Sequence, residues 1–313
     1  MIAAESARRH IRAAVNGVLL LDKPAGITSN QALQHAKRLL LARKGGHTGS
    51  LDPIATGLLP LCFGEATKLS RFMLDADKRY AAVIQLGVAT TTYDAEGAIV
   101  ARQPVNVDRR QLEWALGEFH GEIEQVPPMY SAIKRGGRPL YELARAGIEV
   151  EREARRVVIR EIALQEFADE RVTIEIVCSK GTYVRSLADD LGQRLGCGAH
   201  LVQLRRLAVG TLALDRAVTL AELAALPDAA ARAAHLVAVD AVVGAIPDVR
   251  LTSLATHYLL RGQAVSVRHR HVSGWVRLYD EQNRFLGMGE VLDDGRVAPR
   301  RLLAVDYTIA SGT

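Results

Sequence analysis

The chain has 313 residues, 49% of them hydrophobic and 24% charged, enough apolar mass for one large domain or two modest ones. A formal net charge of +5 mildly favours a polyanionic partner without specifying one. Cys62, Cys178 and Cys197 are too scattered for a disulfide framework or a zinc motif, and no apolar run reaches a bilayer span; a reduced, cytoplasmic protein with no membrane partner is expected.

Residues 1–16 carry paired arginines but no long apolar stretch, so they read as a loosely held arm and not as a secretory signal. GVLLLDKPAG (17–26) reads as a short buried strand ending at a Lys-Pro turn. A helix follows, capped by Thr28 or Ser29, with Leu33, Ala36, Leu39 and Leu40 on one face and Gly45 after its last turn. KGGHTGSLDPIATGLLP (44–60) reads as a glycine-rich loop around a single carboxylate, Asp52, and GEATKLSRFMLDADK as a second helix. Alternation puts Tyr80, Ala82, Ile84 and Leu86 on one side of a strand. Leu112, Ala115, Leu116 and Phe119 mark an amphipathic helix. Strands are expected at 156–167 and 172–178, a helix carrying Val184, Leu187, Ala188, Leu191 and Leu195, and an extended run over HLVQLRRLAVGTLAL.

The elements intermingle without strict βαβ alternation, so a mixed α/β (α+β) fold is expected and not a doubly wound one. Residues 127–156 are rich in arginine and lysine and contain Tyr130, Tyr141 and a Gly-Gly turn. They read as a solvated loop with a short helix, or as a flexible arm that lays guanidinium groups on phosphates. A boundary is expected at Pro247. From about Ser253, short segments such as AVSVRHR, GWVRLYD and GRVAPRRLL suggest a small β-barrel.

The glycine-rich loop lacks the Gly-Lys-Ser/Thr ending of a P-loop, and no dinucleotide fingerprint is present. His47 and Asp52 lack further ligands for a metal, and Ser50, His47 and Asp52 lie too close together for a triad without a nucleophile elbow. An Asp in such a place is ordinarily a turn residue. If it does chemistry, it does so as a lone nucleophile or base.

GGHTGSLDPIATGLLP resembles the catalytic motif of the TruB family of tRNA pseudouridine synthases. The resemblance extends, in family order, through GVLLLDKPAGITSN, KRYAAVIQLGVATTTYDAEG, VPPMYSAIKRGGRPLYELARAG, CSKGTYVRSLADDLG and HLVQLRRLAVG. It implies a catalytic domain at 17–246 around a central antiparallel or mixed sheet, an RNA-gripping insertion at about 127–156, and a C-terminal PUA-like barrel at 247–313. Asp52 would be the catalytic aspartate, Tyr80 would stack on the target base and assist proton handling, and Arg185 would pair with Asp52. His47 would fill the gap left by the flipped nucleotide. Lys23, Pro24, Tyr183 and Leu204 would shape the pocket.

The reaction implied is isomerisation of uridine 55 in the T loop of tRNA. Because substrate and product are isomers, no cofactor and no metal are expected. The carboxylate either attacks C1′ or removes the C2′ proton, and both routes stay open. The expected partner is the tRNA T-arm, with no guide RNA, and the expected state a monomer. Three other activities compete: a tRNA-folding chaperone with incidental catalysis, the guide-RNA-dependent branch of the superfamily, and a glycosidase or nucleosidase that would release free uracil.

Overall fold

The computed structural model describes residues 15–267 and 272–304; the expected arm therefore lies outside the described residues except for Val15 and Asn16. The chain opens with β1 (Gly17–Lys23), α1 (Ser29–Leu39), β2 (Gly45–His47), β3 (Thr56–Phe63), a 3-10 turn (Gly64–Leu69) running into α2 (Ser70–Asp75), and β4 (Lys78–Leu86). A hairpin of β5 (Val88–Thr90) and β6 (Ile99–Arg102), then α3 (Arg109–Gly117) and β7 (Gly121–Gln125), lead into the basic segment. That segment holds a tight hairpin, β8 (Lys134–Arg135) and β9 (Arg138–Pro139), and α4 (Leu140–Arg145). Next come β10 (Arg155–Ala168), β11 (Arg171–Cys178), α5 (Val184–Arg194), β12 (Ala199–Val209), β13 (Leu212–Ala213), β14 (Val218–Thr219), α6 (Leu220–Ala225), α7 (Ala229–Ala233) and β15 (Leu236–Val237). The chain continues through β16 (Asp248–Arg250), α8 (Ser253–Leu260), β17 (Gly274–Tyr279), β18 (Phe285–Val291) and β19 (Val297–Leu302).

Among the described residues one large sheet runs β14-β1-β3-β12-β4-β11-β10-β7, with β2 and β15 on the flanks of β3 and β1. It is mixed: β1 with β14 and β3 with β12 are parallel, and the remaining pairs are antiparallel. The apolar runs of β1 and β3 are continuous because both faces are covered. Leu19, Leu21, Leu59 and Leu61 pack under α1 and α5, while Val18, Leu20, Leu58 and Cys62 pack on the opposite side. That second cluster includes Phe285 and Met288 of β18, so it joins the C-terminal sheet, ordered β16-β17-β18-β19, to the large one. Phe72 meets Trp275 edge-on at 5.0 Å across the same junction.

Four local expectations are corrected. First, α1 stops at Leu39, and Leu41, not a glycine, takes the left-handed conformation with φ 53°. Gly45 instead opens β2, where a Cβ would stand 3.0 Å from the Phe63 ring; its smallness serves close approach, not helix termination. Second, the glycine-rich loop is shorter than its composition suggests, because β2 pairs antiparallel with β3, His47 opposite Leu61. Third, the second helix begins as a 3-10 turn. Fourth, α8 lies in the region read as strands only, capped by Thr252, whose hydroxyl accepts from the Ala255 amide. Of AVSVRHR, Val265 bridges Val297, and residues 268–270 fall outside the described residues.

Candidate active site

The loop that carries Asp52 is pinned from both sides. Behind it, the Ser29 hydroxyl at the start of α1 donates to the Leu51 carbonyl at 3.0 Å and accepts from the Leu51 amide at 2.7 Å. Thr48, fully buried, donates twice to the Pro60 carbonyl of β3. In front, the ammonium of Lys23 donates to the carbonyls of Pro24 at 2.7 Å, Ala55 at 2.8 Å and Pro53 at 3.4 Å. Lys23 has no exposed surface. Burial pulls its pKa down to about 8, while the negative charge of Asp52 works the other way. Lys23 thus staples the loop from within, and Pro24, itself exposed, contributes a carbonyl to that staple.

Arg185 is the second residue of α5 and only 4% exposed. The start of that helix is fixed without a side-chain cap: Gln125 accepts from the Tyr183 amide at 2.7 Å and donates to the Tyr183 carbonyl at 3.0 Å. The guanidinium places Nε 2.9 Å from Asp52 Oδ2 and Nη1 3.4 Å from Asp94 Oδ2. It also donates to the carbonyls of Thr92 at 3.3 Å and Tyr130 at 2.8 Å. The fork expected to serve Asp52 therefore serves two carboxylates and two carbonyls.

Asp52 keeps 38% of its side-chain surface accessible, yet the surrounding protein withholds enough water to push its carboxyl above the ordinary carboxylate value. Arg185 pulls against that rise and the charge of Asp94 adds to it.

Asp94 is absent from the sequence-based site. It is 2% exposed, and its Oδ1 accepts from the Thr92 hydroxyl and the Glu96 amide. In TTTYDAEG it looks like one more turn aspartate, and nothing in that stretch signals that the turn is docked. The structure docks it on β12: the Leu201 amide donates to the Tyr93 carbonyl and the Ala95 amide to the Leu201 carbonyl. Asp94→Asn should cost roughly tenfold in turnover at neutral pH, the scale of one charge-assisted hydrogen bond. It should also move the acid limb of the pH–rate profile to lower pH, since a charge that holds the Asp52 value up has been removed. An unmoved acid limb would contradict this wiring.

Tyr80 stands in the middle of β4, between Ile176 on β11 and Arg206 on β12. Because side chains alternate along a strand, Tyr80, Ala82 and their partners Arg206 and Leu204 share one face. Tyr80 and Leu204 are 9% and 8% exposed. Burial pushes the phenols of Tyr80 and Tyr183 up, and both feel the charge of Asp52. His47 lies on β2; its Nδ1 is buried without a hydrogen-bond partner. Burial and the Arg206 charge hold its imidazole below the usual value, hence neutral at pH 7. Asp52, Arg185, Lys23, Tyr80 and Tyr183 thus fall within one electrostatic neighbourhood, with Leu204 beside Tyr80 and His47 tied in through Arg206. Among the described residues no cluster of His, Cys, Asp and Glu could hold a metal ion. A cavity of about 400 Å³ lined by Arg110, Trp114 and Arg194 lies between α3 and the far end of α5, away from Asp52.

The chain matches the N-terminal domain of TruB family pseudouridylate synthases over residues 37–184. It matches the tRNA pseudouridylate synthase B C-terminal domain over 185–243 and the pseudouridine synthase II TruB C-terminal domain over 247–303. It is 52% identical to the tRNA pseudouridine synthase B of Pseudomonas aeruginosa, over 94% of this chain and 98% of that protein. To the protein of the same name from Aromatoleum aromaticum it is 54% identical over 96% of each. A solved Cbf5-Nop10-Gar1 complex contains a chain that superposes with a TM-score of 0.72 at 24% identity, covering 94% of this chain and 87% of that one. A box H/ACA sRNP Nop10-Cbf5 complex gives 0.70 at 22% over 93% and 86%; at such identities the likeness concerns the fold. Relatives half identical along nearly the whole length, and three domains matched in order, establish that the chain belongs to the TruB family of pseudouridine synthases.

Proposed function

We propose that this protein converts uridine 55 in the T loop of tRNA to pseudouridine, acting alone in the cytoplasm as a monomer without guide RNA or cofactor. The observation that carries the reading is the partly exposed carboxylate of Asp52, held by Arg185 at 2.9 Å and close enough for its charge to act on the Tyr80 phenol. The names of its half-identical relatives, tRNA pseudouridine synthase B, support tRNA as the substrate.

The N1–C1′ bond breaks, the uracil turns, a C5–C1′ bond forms, and the hydrogen at C5 leaves as a proton while N1 gains one. Asp52 starts this either by attacking C1′ or by removing the C2′ proton; each route needs the ionised form placed against the sugar. The uridine must first leave its stack at a cost of a few kcal/mol. Stacking on Tyr80 returns roughly 1–3 kcal/mol, and the neutral, flat imidazole of His47 fills the vacated place in the RNA. Tyr183 and Leu204 line the base pocket, with Lys23 and Pro24 beneath. Residues 17–246 act as the catalytic domain, residues 127–156 grip the T-arm with their arginines, and residues 247–313 act as a PUA-like module.

The test is incubation of the pure protein with unmodified tRNA transcript and no other RNA, followed by carbodiimide mapping. One new stop in the T loop, with no free uracil, is expected. A requirement for added RNA, or base loss, would overturn the reading.

A further inference from the structure

Arg206 is the largest fully buried side chain among the described residues, 1% exposed. Its neighbour in sequence, Arg205, points the other way and pairs with Asp22 at 2.7 Å. The partners of Arg206 are of another kind. Nε donates to the Leu58 carbonyl of β3 at 2.6 Å and Nη2 donates to the Gly49 carbonyl at 3.3 Å, while on the same face of the sheet Arg206 lies directly opposite the buried Tyr80 in the β12–β4 ladder. A buried cation surrounded by neutral acceptors is costly, and an apolar side chain would pack the same space more cheaply. What only a planar fork of donors supplies is simultaneous reach in several directions.

The directions matter. Gly49 lies between His47 and Asp52, Leu58 follows the loop on β3, and Tyr80 stands on β4. The backbone of Arg206 is itself wedged in place: a Cβ on Gly57 would come within 2.3 Å of the Arg206 carbonyl, so β3 can sit against this point of β12 only because residue 57 is glycine. The Arg206 charge also bears on His47 and Lys23.

We infer that Arg206 is a positioning residue for the isomerisation: its guanidinium registers Tyr80 against the loop that carries Asp52. The inference rests on the role given above to Tyr80. Misplacement by about 1 Å at a reacting centre costs on the order of 10²-fold in rate, so a residue that touches no substrate can govern turnover from this position.

The test is a double-mutant cycle on single-turnover pseudouridine formation, with tRNA affinity measured in parallel. Arg206→Lys keeps the charge and loses the fork. It should slow the wild-type background by at least about tenfold and leave tRNA affinity within about twofold. In a Tyr80→Phe background, where the phenol oxygen is gone, the same substitution should change the residual rate by less than about twofold. Equal losses in both backgrounds would make Arg206 merely structural, and an unchanged rate in the wild-type background would remove its role; either overturns the inference. Tyr80→Phe turning over like wild type would instead sink the share of the phenol in proton handling, since phenylalanine still stacks on the base.

A second measurement depends neither on residual rate nor on the folding of an Arg206 variant. The side-chain N–H resonances of Arg206, observed in wild type and in Tyr80→Phe, should shift between them. Identical spectra would overturn the inference.

Discussion

Asp52→Asn should lose at least about 10³-fold in turnover while the protein stays folded, binds tRNA with near wild-type affinity, and melts no lower at pH 7. Asparagine keeps the shape of the side chain and cannot attack C1′ or take a proton from C2′. The stability half follows from the sign of the shift. The Asp52 carboxyl sits above its ordinary value in the folded protein, chiefly through burial. A group raised in this way favours the fold when protonated, and that contribution is lost as pH rises through the folded-state value. At neutral pH the ionised Asp52 therefore opposes folding, and a neutral isostere relieves the opposition. The same shift predicts that wild-type turnover falls on acidification with a midpoint above 3.8, the unperturbed carboxyl value. A melting temperature clearly lower in Asp52→Asn, or a parallel loss of tRNA binding, would make Asp52 a structural residue.

Arg185→Lys should fail for a different reason. The guanidinium contacts the glycine-rich loop at Asp52, the docked turn at Asp94 and Thr92, and the carbonyl of Tyr130 at the base of the basic segment. A lysine ammonium is shorter, lacks the fork, and cannot serve all four acceptors. Each buried acceptor left without a donor costs about 1–3 kcal/mol. A stability loss of about that size is expected, with a fall in turnover of at least about 10²-fold as Asp52 loses its anchor. Denaturant melts and single-turnover rates check the two halves separately. Wild-type turnover in Arg185→Lys would show that charge alone holds Asp52 and that the fork is dispensable.

Much of this architecture is legible without coordinates because local rules and tertiary packing agree. The continuous apolar run of β1 announces a buried strand, and the cap expected at Thr28 or Ser29 falls to Thr28, whose hydroxyl accepts from the Gln31 amide. Alternation along β4 places Tyr80 correctly. Asp52 and Arg185 stand out through the family motif, and their pairing is what the structure contains.

The residues that escape reading are buried charges, whose role depends on acceptors far away in sequence. Lys23 looks like the outer residue of a Lys-Pro turn, yet three carbonyls gathered by the fold hold its ammonium inside. Asp94 looks like a turn former until β12 supplies the surface on which that turn docks. Arg205 and Arg206 look alike as adjacent basic residues, and only strand register decides that one faces Asp22 and the other the core. Gly45 misleads in a similar way, since the Phe63 ring that demands a glycine there comes from the paired strand.

The central claim is that the Asp52 carboxylate drives rearrangement of a tRNA uridine that no other molecule presents to it. The most direct measurement uses unmodified transcript carrying tritium at C5 of its uridines, with wild type and Asp52→Asn compared at equal occupancy by tRNA. The account predicts one tritium released to water for each T-loop pseudouridine formed by wild type, and none above background from Asp52→Asn. Equal release from both proteins, or label recovered in free uracil, would contradict it.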